Sequence, residues 1–292
     1  MPLNWSKSIS AGLLMAILTL SGGAAFSAAP GEEALRAGGR TPVQKGDDAP
    51  EAQPDPASKL STTLQVDFYS QYVFRGIAQS KGVGLQPSLS LSYRGFTASV
   101  WGNFDPEGRH PITGRRRGLK WTETDFSLSY SREILPRLIL IAGSVYYAVE
   151  GPDSCEVYGA LAYFFPWFAA GMAASREVSH YPGWHLEVFL LRKIALPWRK
   201  ISLELWASWG FELSQDPEAF PDPGRPGRAY RGPLAGHLMA TLNLPVSKTV
   251  TISPMIMYWY ALGGESTQVI RQLSWDGRHN HLVGGVTIAA SF

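Results

Sequence analysis

Acidic and polar side chains recur at even spacings along parts of the chain, and this spacing places them on one face of a β-strand. Glu123 and Asp125 lie two apart, and Asp67, Gln71 and Arg75 follow one another at intervals of four. The residues predicted to share one inward face are Asp67, Gln71, Arg75, Glu123, Asp125, Glu156, Glu177, Glu187, Glu204 and His237. If such a face lines a narrow aqueous passage, its carboxylates favour cations. Alternatively, the carboxylates pair with one another and with Arg75 and brace the interior.

Catalytic and metal-binding patterns are sparse. His180, His185 and His281 could act as bases, but no G-x-S-x-G nucleophile motif occurs. His279 and His281 lie two apart, which is a weak metal signal, and the one cysteine, Cys155, excludes an internal disulfide framework. We predict no catalytic residues, no cofactor and no metal. A lipid-modifying barrel enzyme is the less favoured alternative.

The polar positions fall within segments of about ten residues with alternating character, the length at which a tilted strand crosses a bilayer. Twelve such segments are predicted: Thr62–Arg75, Leu85–Tyr93, Phe96–Phe104, Trp121–Ser131, Leu138–Ala148, Ser154–Phe165, Trp167–Val178, Trp184–Lys193, Lys200–Glu212, Leu234–Leu244, Thr249–Tyr260 and Asn280–Phe292. An even number of strands suits a closed antiparallel membrane barrel with both termini on one side. The predicted fold is therefore an all-β, up-and-down transmembrane barrel.

The connections between these segments alternate between tight and longer polar ones, as in barrels with short periplasmic turns and longer external loops. The aromatic residues, which make up 12% of the chain, concentrate near both ends of the segments. Two such belts are expected where a barrel meets the two interfaces of a membrane. The uncharged run Tyr158–Ala174 is interpreted as two strands joined at Pro166, not as a helix.

The N-terminal part differs from the rest. Lys7 followed by the apolar run Ala11–Leu20 predicts a secretory signal peptide over residues 1–27. Residues 28–59 are rich in Pro, Gly and charge and contain no aromatic residue, which predicts a disordered periplasmic linker. The barrel is predicted over residues 60–292.

The last strand is the partner that a closed barrel needs. Between His281 and Phe292, apolar residues alternate along one face and the sequence ends on an aromatic residue. A bare apolar strand would recruit other chains, whereas closure removes the edge. We predict that Phe292 pairs near the start of Thr62–Arg75. Such a strand also resembles the terminal strand by which the barrel-assembly machinery receives its clients.

The distribution of charged residues bears on which other molecules the protein could bind. The 26 basic and 24 acidic residues are nearly balanced, which gives no indication of a nucleic-acid partner. The densest basic cluster, Arg115, Arg116 and Arg117, falls in a predicted external loop. Arginine binds phosphate well, so this cluster could contact lipopolysaccharide in the outer membrane of a Gram-negative bacterium, or it could simply be solvated.

The stretch Phe68–Gln79 (FYSQYVFRGIAQ) is the most distinctive in the chain. Its S-x-Y-V-F-R-G core, followed by Gln86, Ser88 and Leu89, resembles the opening strands of proteobacterial outer-membrane porins of the TorF type. The resemblance implies a passive channel. In that arrangement we expect Tyr72 and Phe74 to anchor the outer interface, Arg75 to face the lumen mouth and Gly76 to permit the turn into the loop.

The function predicted from the sequence is passive diffusion of small hydrophilic solutes or ions, with a weak preference for cations. A structural or adhesive barrel without an open lumen is the main alternative. A barrel of twelve strands is intermediate in width, so folded loops can narrow or close it.

Overall fold

The computed structural model describes residues 60–105, 120–149, 151–198 and 200–292. The predicted signal peptide (1–27), the predicted linker (28–59) and the basic cluster Arg115–Arg117 lie outside these ranges. Within them, no helix is both long enough and apolar enough to cross a membrane.

Twelve strands of the described ranges form one closed antiparallel barrel, which confirms the predicted fold class. The elements are β1 (Ser61–Tyr69), β2 (Val73–Phe74), β3 (Ile77–Ala78), β4 (Gly84–Tyr93), β5 (Phe96–Asp105), β6 (Lys120–Leu135), β7 (Leu138–Val149), β8 (Ser154–Phe164), β9 (Ala169–Glu177), β10 (Gly183–Ala195), β11 (Ser202–Ser214), β12 (Arg231–Pro245), β13 (Val250–Ala261), α1 (Gly264–Leu273) and β14 (His281–Ser291). Among the strands of the described residues, β2 and β3 stand apart from the barrel, as a two-stranded hairpin. The connections that follow β1, β5, β7, β9, β11 and β13 are at one end, called here the loop end, and the opposite end is the turn end.

The barrel closes where β1 pairs with β14. Val66 lies opposite Ile288 in this register. The backbone N–H of Phe292 donates to the carbonyl oxygen of Thr62 at 2.9 Å, and the N–H of Thr62 donates to the carbonyl of Phe292 at 3.2 Å. The predicted pairing of the last strand with the first is confirmed, and it leaves no open sheet edge.

The two faces of each strand differ as period-two alternation requires. On β1, Leu64 and Phe68 are exposed on the outer face, whereas Gln65 and Asp67 are buried inside. Exposed aromatic residues occur near both ends of the barrel, with Trp121, Tyr146, Trp184 and Tyr258 toward the loop end and Tyr93, Phe96, Tyr130, Trp167 and Trp198 toward the turn end. An apolar outer band between two belts of aromatic residues is suited to the hydrocarbon layer of a membrane. The run Tyr158–Ala174 forms β8 and β9 with Pro166 in the turn between them, as predicted.

The first predicted strand is too long. β1 ends at Tyr69, and the residues up to Arg75, expected to continue it, instead turn into the barrel and form the β2–β3 hairpin. Arg75 and Gly76 make the two-residue connection with φ values of 49° and 83°, the positive pair expected of a type I′ turn. Alternating apolar residues fit a local hairpin as well as a long strand, so the pattern alone did not separate them.

The interior is not polar throughout, because one side combines an apolar cluster with buried polar side chains such as Glu187 and Ser208. Lumen-facing side chains from β7 to β11 form an apolar cluster that includes Ile141, Phe189 and Trp206. Ile141 is 0% exposed and the Phe189 and Trp206 rings stack with centroids 4.9 Å apart. These side chains pack against one another, and the cluster extends through Tyr72 to Trp101 of β5. The opposite wall, from β14 through β1 to β6, carries most of the buried Gln, Ser, Thr and Asp side chains.

Candidate functional site

The segment Gln71–Gln79, called here the inward hairpin, lies inside the loop end of the barrel. Tyr72 packs on Trp101 with ring centroids 5.8 Å apart, and Phe74 packs on Tyr147 at 6.5 Å. Tyr72 belongs to the apolar cluster of the interior. The expectation that Tyr72 and Phe74 anchor the outer interface is therefore wrong, because both rings contact lumen-facing side chains.

The other side of the inward hairpin is covered by helix α1. Ile77 packs in one buried cluster with Val269 and Ile270 of the helix. The N–H of Ala78 donates to Ser274 Oγ at 3.1 Å, and the carbonyl of Ala78 accepts from the N–H of Trp275 at 2.8 Å. The β13–β14 connection thus holds the hairpin in the lumen from above.

Gly76 is required at the tip for two reasons. Its φ of 83° lies in the left-handed region that favours glycine, and a Cβ added there would stand 2.5 Å from the Cβ of Ala235 on β12. The predicted role of Gly76 in a turn is correct, but the turn lies inside the barrel.

The base of the inward hairpin is held by Gln71, which was predicted to line the lumen from a strand. Its side-chain amide donates to the carbonyl of Ser80 at 2.8 Å and to Asp276 Oδ2 at 3.1 Å. Partial burial acts to raise the pKa of Asp276, but hydrogen bonds from the Arg278 amide and Gln71, together with His281, outweigh it. The pKa of Asp276 is therefore below its ordinary value, so at neutral pH its carboxylate is ionised and accepts the hydrogen bond from the Gln71 amide.

Arg75 at the hairpin tip reaches the far wall. Its Nη1 and Nη2 donate to Glu156 Oε1 and Oε2 at 2.9 and 2.8 Å, and Nη2 also donates to Ser175 Oγ at 2.9 Å. The guanidinium lies over the Phe74 ring, 4.8 Å from its centroid. Tyr147 adds a hydrogen bond from its hydroxyl to Glu156 Oε2 at 3.3 Å. Arg75 was expected at the lumen mouth, and it instead joins the hairpin to β8 and β9 inside the barrel.

A cavity of about 640 Å³ lies between the inward hairpin and the barrel wall, at the loop end. We call it the vestibule. Its described lining includes five carboxylates, those of Asp105, Glu123, Glu156, Glu177 and Glu212. Arg75 and His185 are the lining residues that can carry positive charge, and aromatic rings of Tyr72, Phe74, Tyr147, Tyr181 and Phe220 complete much of the wall. The vestibule is therefore acidic and aromatic.

The sequence-based prediction missed two of these carboxylates. Glu212 lies on the same β11 face as the predicted Glu204, and its Oε2 is 3.2 Å from His185 Nδ1. Asp105 ends β5, whereas it was assigned to the following loop. Glu212 was already the last residue of the predicted segment Lys200–Glu212, and extending the segment Phe96–Phe104 by one position would have included Asp105.

Two of the predicted carboxylates have local partners. Glu177 accepts hydrogen bonds from the backbone N–H groups of Ser179 and Tyr181 at 2.9 and 2.6 Å, so it organises the β9–β10 connection. Asp67 is buried and accepts from Gln65 Nε2 at 2.9 and 3.0 Å and from the Thr287 hydroxyl. Neither is a free charge in the lumen.

The remaining predicted residues lie on lumen faces at different heights. Glu187 is buried on β10, and Glu204 is half-buried on β11 opposite Thr241. His237 is buried on β12, with its ring stacked on Trp259 at 3.9 Å. The structure thus brings Arg75, Glu123 and Glu156 together at the vestibule and leaves these three apart from it.

Below the vestibule, four lumen residues lie at one level on neighbouring strands. Gln65 is opposite Ser88, Ser88 is opposite Trp101, and Trp101 is opposite Asp125. Among the described residues, Ser88 Oγ, Trp101 Nε1 and both Asp125 carboxylate oxygens are buried without a hydrogen-bond partner. Leaving such a group unsatisfied costs about 1–3 kcal/mol, and native proteins usually satisfy it with ordered water. This level of the polar wall is thus built for hydration.

The closed ring of twelve antiparallel strands and the apolar outer band define the chain as a transmembrane β-barrel. No protein-family model matches the sequence, and no curated protein matches it. The resemblance to porins of the TorF type therefore stays a prediction.

Solved structures with a related shape are outer-membrane proteins. A NanC porin structure is 12% identical, covers 79% of this chain and 98% of its own, and has a TM-score of 0.49. A KdgM porin is 9% identical, with 77% and 97% covered and a TM-score of 0.46. An outer membrane channel from Pseudomonas putida F1 is 13% identical, with 86% and 100% covered and a TM-score of 0.44. These likenesses are too distant to carry a functional argument, which rests on the residues described above.

Proposed function

We propose that this barrel is an outer-membrane channel for passive diffusion of small hydrophilic solutes or ions. The observation that carries the proposal is the polar wall of the lumen. It runs from Asn103 and Gln86 near the vestibule, joined by a hydrogen bond of 3.0 Å, to Ser92 and Thr97 at the turn end, joined at 2.8 Å. A barrel with a purely structural role would be more stable with an apolar interior on both sides, because buried polar groups must be desolvated.

The inward hairpin gives this channel a narrow or closed resting form. Its rings and the apolar cluster occupy one half of the lumen, so solutes would follow the polar wall. In this proposal the loop end faces the exterior, and the predicted linker lies in the periplasm. Lipopolysaccharide and the barrel-assembly machinery are further proposed partners.

A closed structural barrel is the second candidate, and the apolar cluster favours it. Ile141, Ala162 and Phe189 all point into the lumen, yet they are no more than 1% exposed. Burial of lumen-facing side chains to this extent is expected of a filled barrel. The two candidates differ in whether the polar wall conducts.

Conductance of the purified full-length protein in planar bilayers separates them. We expect discrete, ion-dependent single-channel steps in symmetric KCl, small because the inward hairpin narrows the lumen. A folded barrel, verified by its heat-modifiable mobility on gels, that inserts and gives no steps would contradict the channel proposal and leave the structural role.

A weak cation preference is proposed from the excess of carboxylates at the vestibule. The double substitution Glu123→Gln and Asp125→Asn removes one vestibule carboxylate and one directly below it, and is expected to move the reversal potential in a KCl gradient toward zero. Glu133→Gln serves as the control, because Glu133 is exposed near the turn end of β6 and its Oε1 accepts from the Arg137 amide. Equal shifts in both variants, or none in either, would show that the vestibule does not set the selectivity.

A further inference from the structure

The position of Arg75 identifies a binding site that the chain itself occupies. The Glu156 carboxylate accepts hydrogen bonds from both terminal nitrogens of the Arg75 guanidinium, and Ser175 Oγ accepts a further one from Nη2. The Phe74 ring covers one face of the guanidinium. A planar donor fork on a carboxylate with an aromatic ring above it is a highly complementary arrangement for guanidinium. We refer to Glu156 and Ser175 as the seat.

The backbone at the tip is not relaxed. Arg75 has a φ of 49°, in the left-handed region where a residue with a Cβ is disfavoured. Type I′ turns favour Asn or Gly at this position. The contacts of the Arg75 side chain at the seat offset part of this cost. A free ligand of the same chemistry carries no such backbone penalty.

The surroundings of the seat remain acidic when Arg75 is bound. Glu123 and Glu212 line the same vestibule, and Glu212 Oε2 lies 3.2 Å from His185 Nδ1. Asp125, next to Glu123 on the same face of β6, is 2% exposed, and neither of its oxygens has a hydrogen-bond partner among the described residues. A buried carboxylate of this kind is costly without a cation or donor. Asp125 lies directly below the vestibule, so its carboxylate adds negative charge beneath the seat, where water or a cation can satisfy it.

We propose that the vestibule binds small organic cations with a guanidinium or primary ammonium group, and that such a solute competes with Arg75 for the seat and frees the tip of the inward hairpin. The aromatic rings of Tyr72 and Tyr147 beside the seat can cover the guest as Phe74 covers Arg75. The part of this inference that concerns opening of the channel rests on the proposed function. The part that concerns binding of the cation is independent of that function.

Binding is tested directly by titration calorimetry of the full-length, detergent-folded protein with ethylguanidinium. In Arg75→Ala the seat is vacant, so we expect affinity about tenfold higher than in the wild type, where the tethered arginine must first leave. Adding Glu156→Gln to Arg75→Ala should abolish this gain. Arg228→Ala, at an exposed arginine of the β11–β12 connection, is the matched control and should bind as the wild type does.

Conductance supplies the second measurement. Arg75→Ala should show larger steps than the wild type, and external ethylguanidinium should return them toward the wild-type level, whereas the same concentration of acetate as its potassium salt should not. Arg75→Ala binding ethylguanidinium no more tightly than the wild type would overturn the inference, even if the barrel conducts. Tight binding to a barrel that never conducts would instead overturn the channel proposal and leave the site in place.

Discussion

Replacement of the inward hairpin Gln71–Gln79 by a Gly-Ser-Gly linker is expected to raise the single-channel conductance severalfold. The linker can still join β1 to β4, because Tyr69 and Gly84 are paired neighbours at the loop end. The replacement removes the Tyr72 and Phe74 rings from the lumen and opens the vestibule toward the polar wall. Single-channel recording of the variant beside the wild type measures the change.

The control for this variant is the same linker in place of residues 223–227, an exposed part of the β11–β12 connection. It shortens a loop at the same end of the barrel without touching the lumen, and its conductance should equal that of the wild type. Unchanged conductance in the hairpin variant would mean that the constriction lies deeper, in the apolar cluster. An equal rise in both variants would show a general loosening of the loop end.

Phe189→Ala is expected to lower the free energy of unfolding by about 3–5 kcal/mol, the usual cost of truncating a buried aromatic ring. Phe189 is 1% exposed, stacks on Trp206, and lies so close to Gly171 that a Cβ there would stand 2.1 Å from its ring. The packing is too tight to collapse around a cavity without moving β9 or β11. Urea unfolding of the barrel in detergent, followed by gel mobility and tryptophan fluorescence, measures the loss.

The matched comparison is Phe126→Ala on the outer face of β6, where the ring is 53% exposed. This substitution removes the same atoms but leaves no enclosed cavity, so a smaller loss is expected. Equal losses at the two positions would indicate that the apolar half of the lumen is loosely packed, contrary to the structure.

The closed barrel was predictable from the sequence because strand alternation is a local property. A period of two over about ten residues fixes which side chains share a face, and it predicted an inward position for Asp67, which is buried. The count of segments and the apolar strand ending at Phe292 then required closure against the first strand, which the Phe292–Thr62 hydrogen bonds show. The turn at Pro166 followed from the same local rules.

Alternation does not state which lumen faces meet across the barrel. Arg75 and Glu156 are separated by 81 positions, and nothing near either residue indicates the other. The apolar half arises in the same way, since Ile141, Phe189 and Trp206 are unremarkable on their own strands and become a cluster only when β7 to β11 curve around one side.

The position of the inward hairpin could not be predicted from the sequence. Its residues alternate as a membrane strand does, and the type I′ turn at Arg75–Gly76 is formed by the same dipeptide as the turn Arg94–Gly95, where φ is 49° and 84°. One turn joins two strands of the wall and the other lies inside the lumen. The local pattern set the hairpin, whereas its direction was decided by contacts that only the closed barrel provides: Trp101 and Tyr147 on one side, α1 on the other, and Glu156 at the tip.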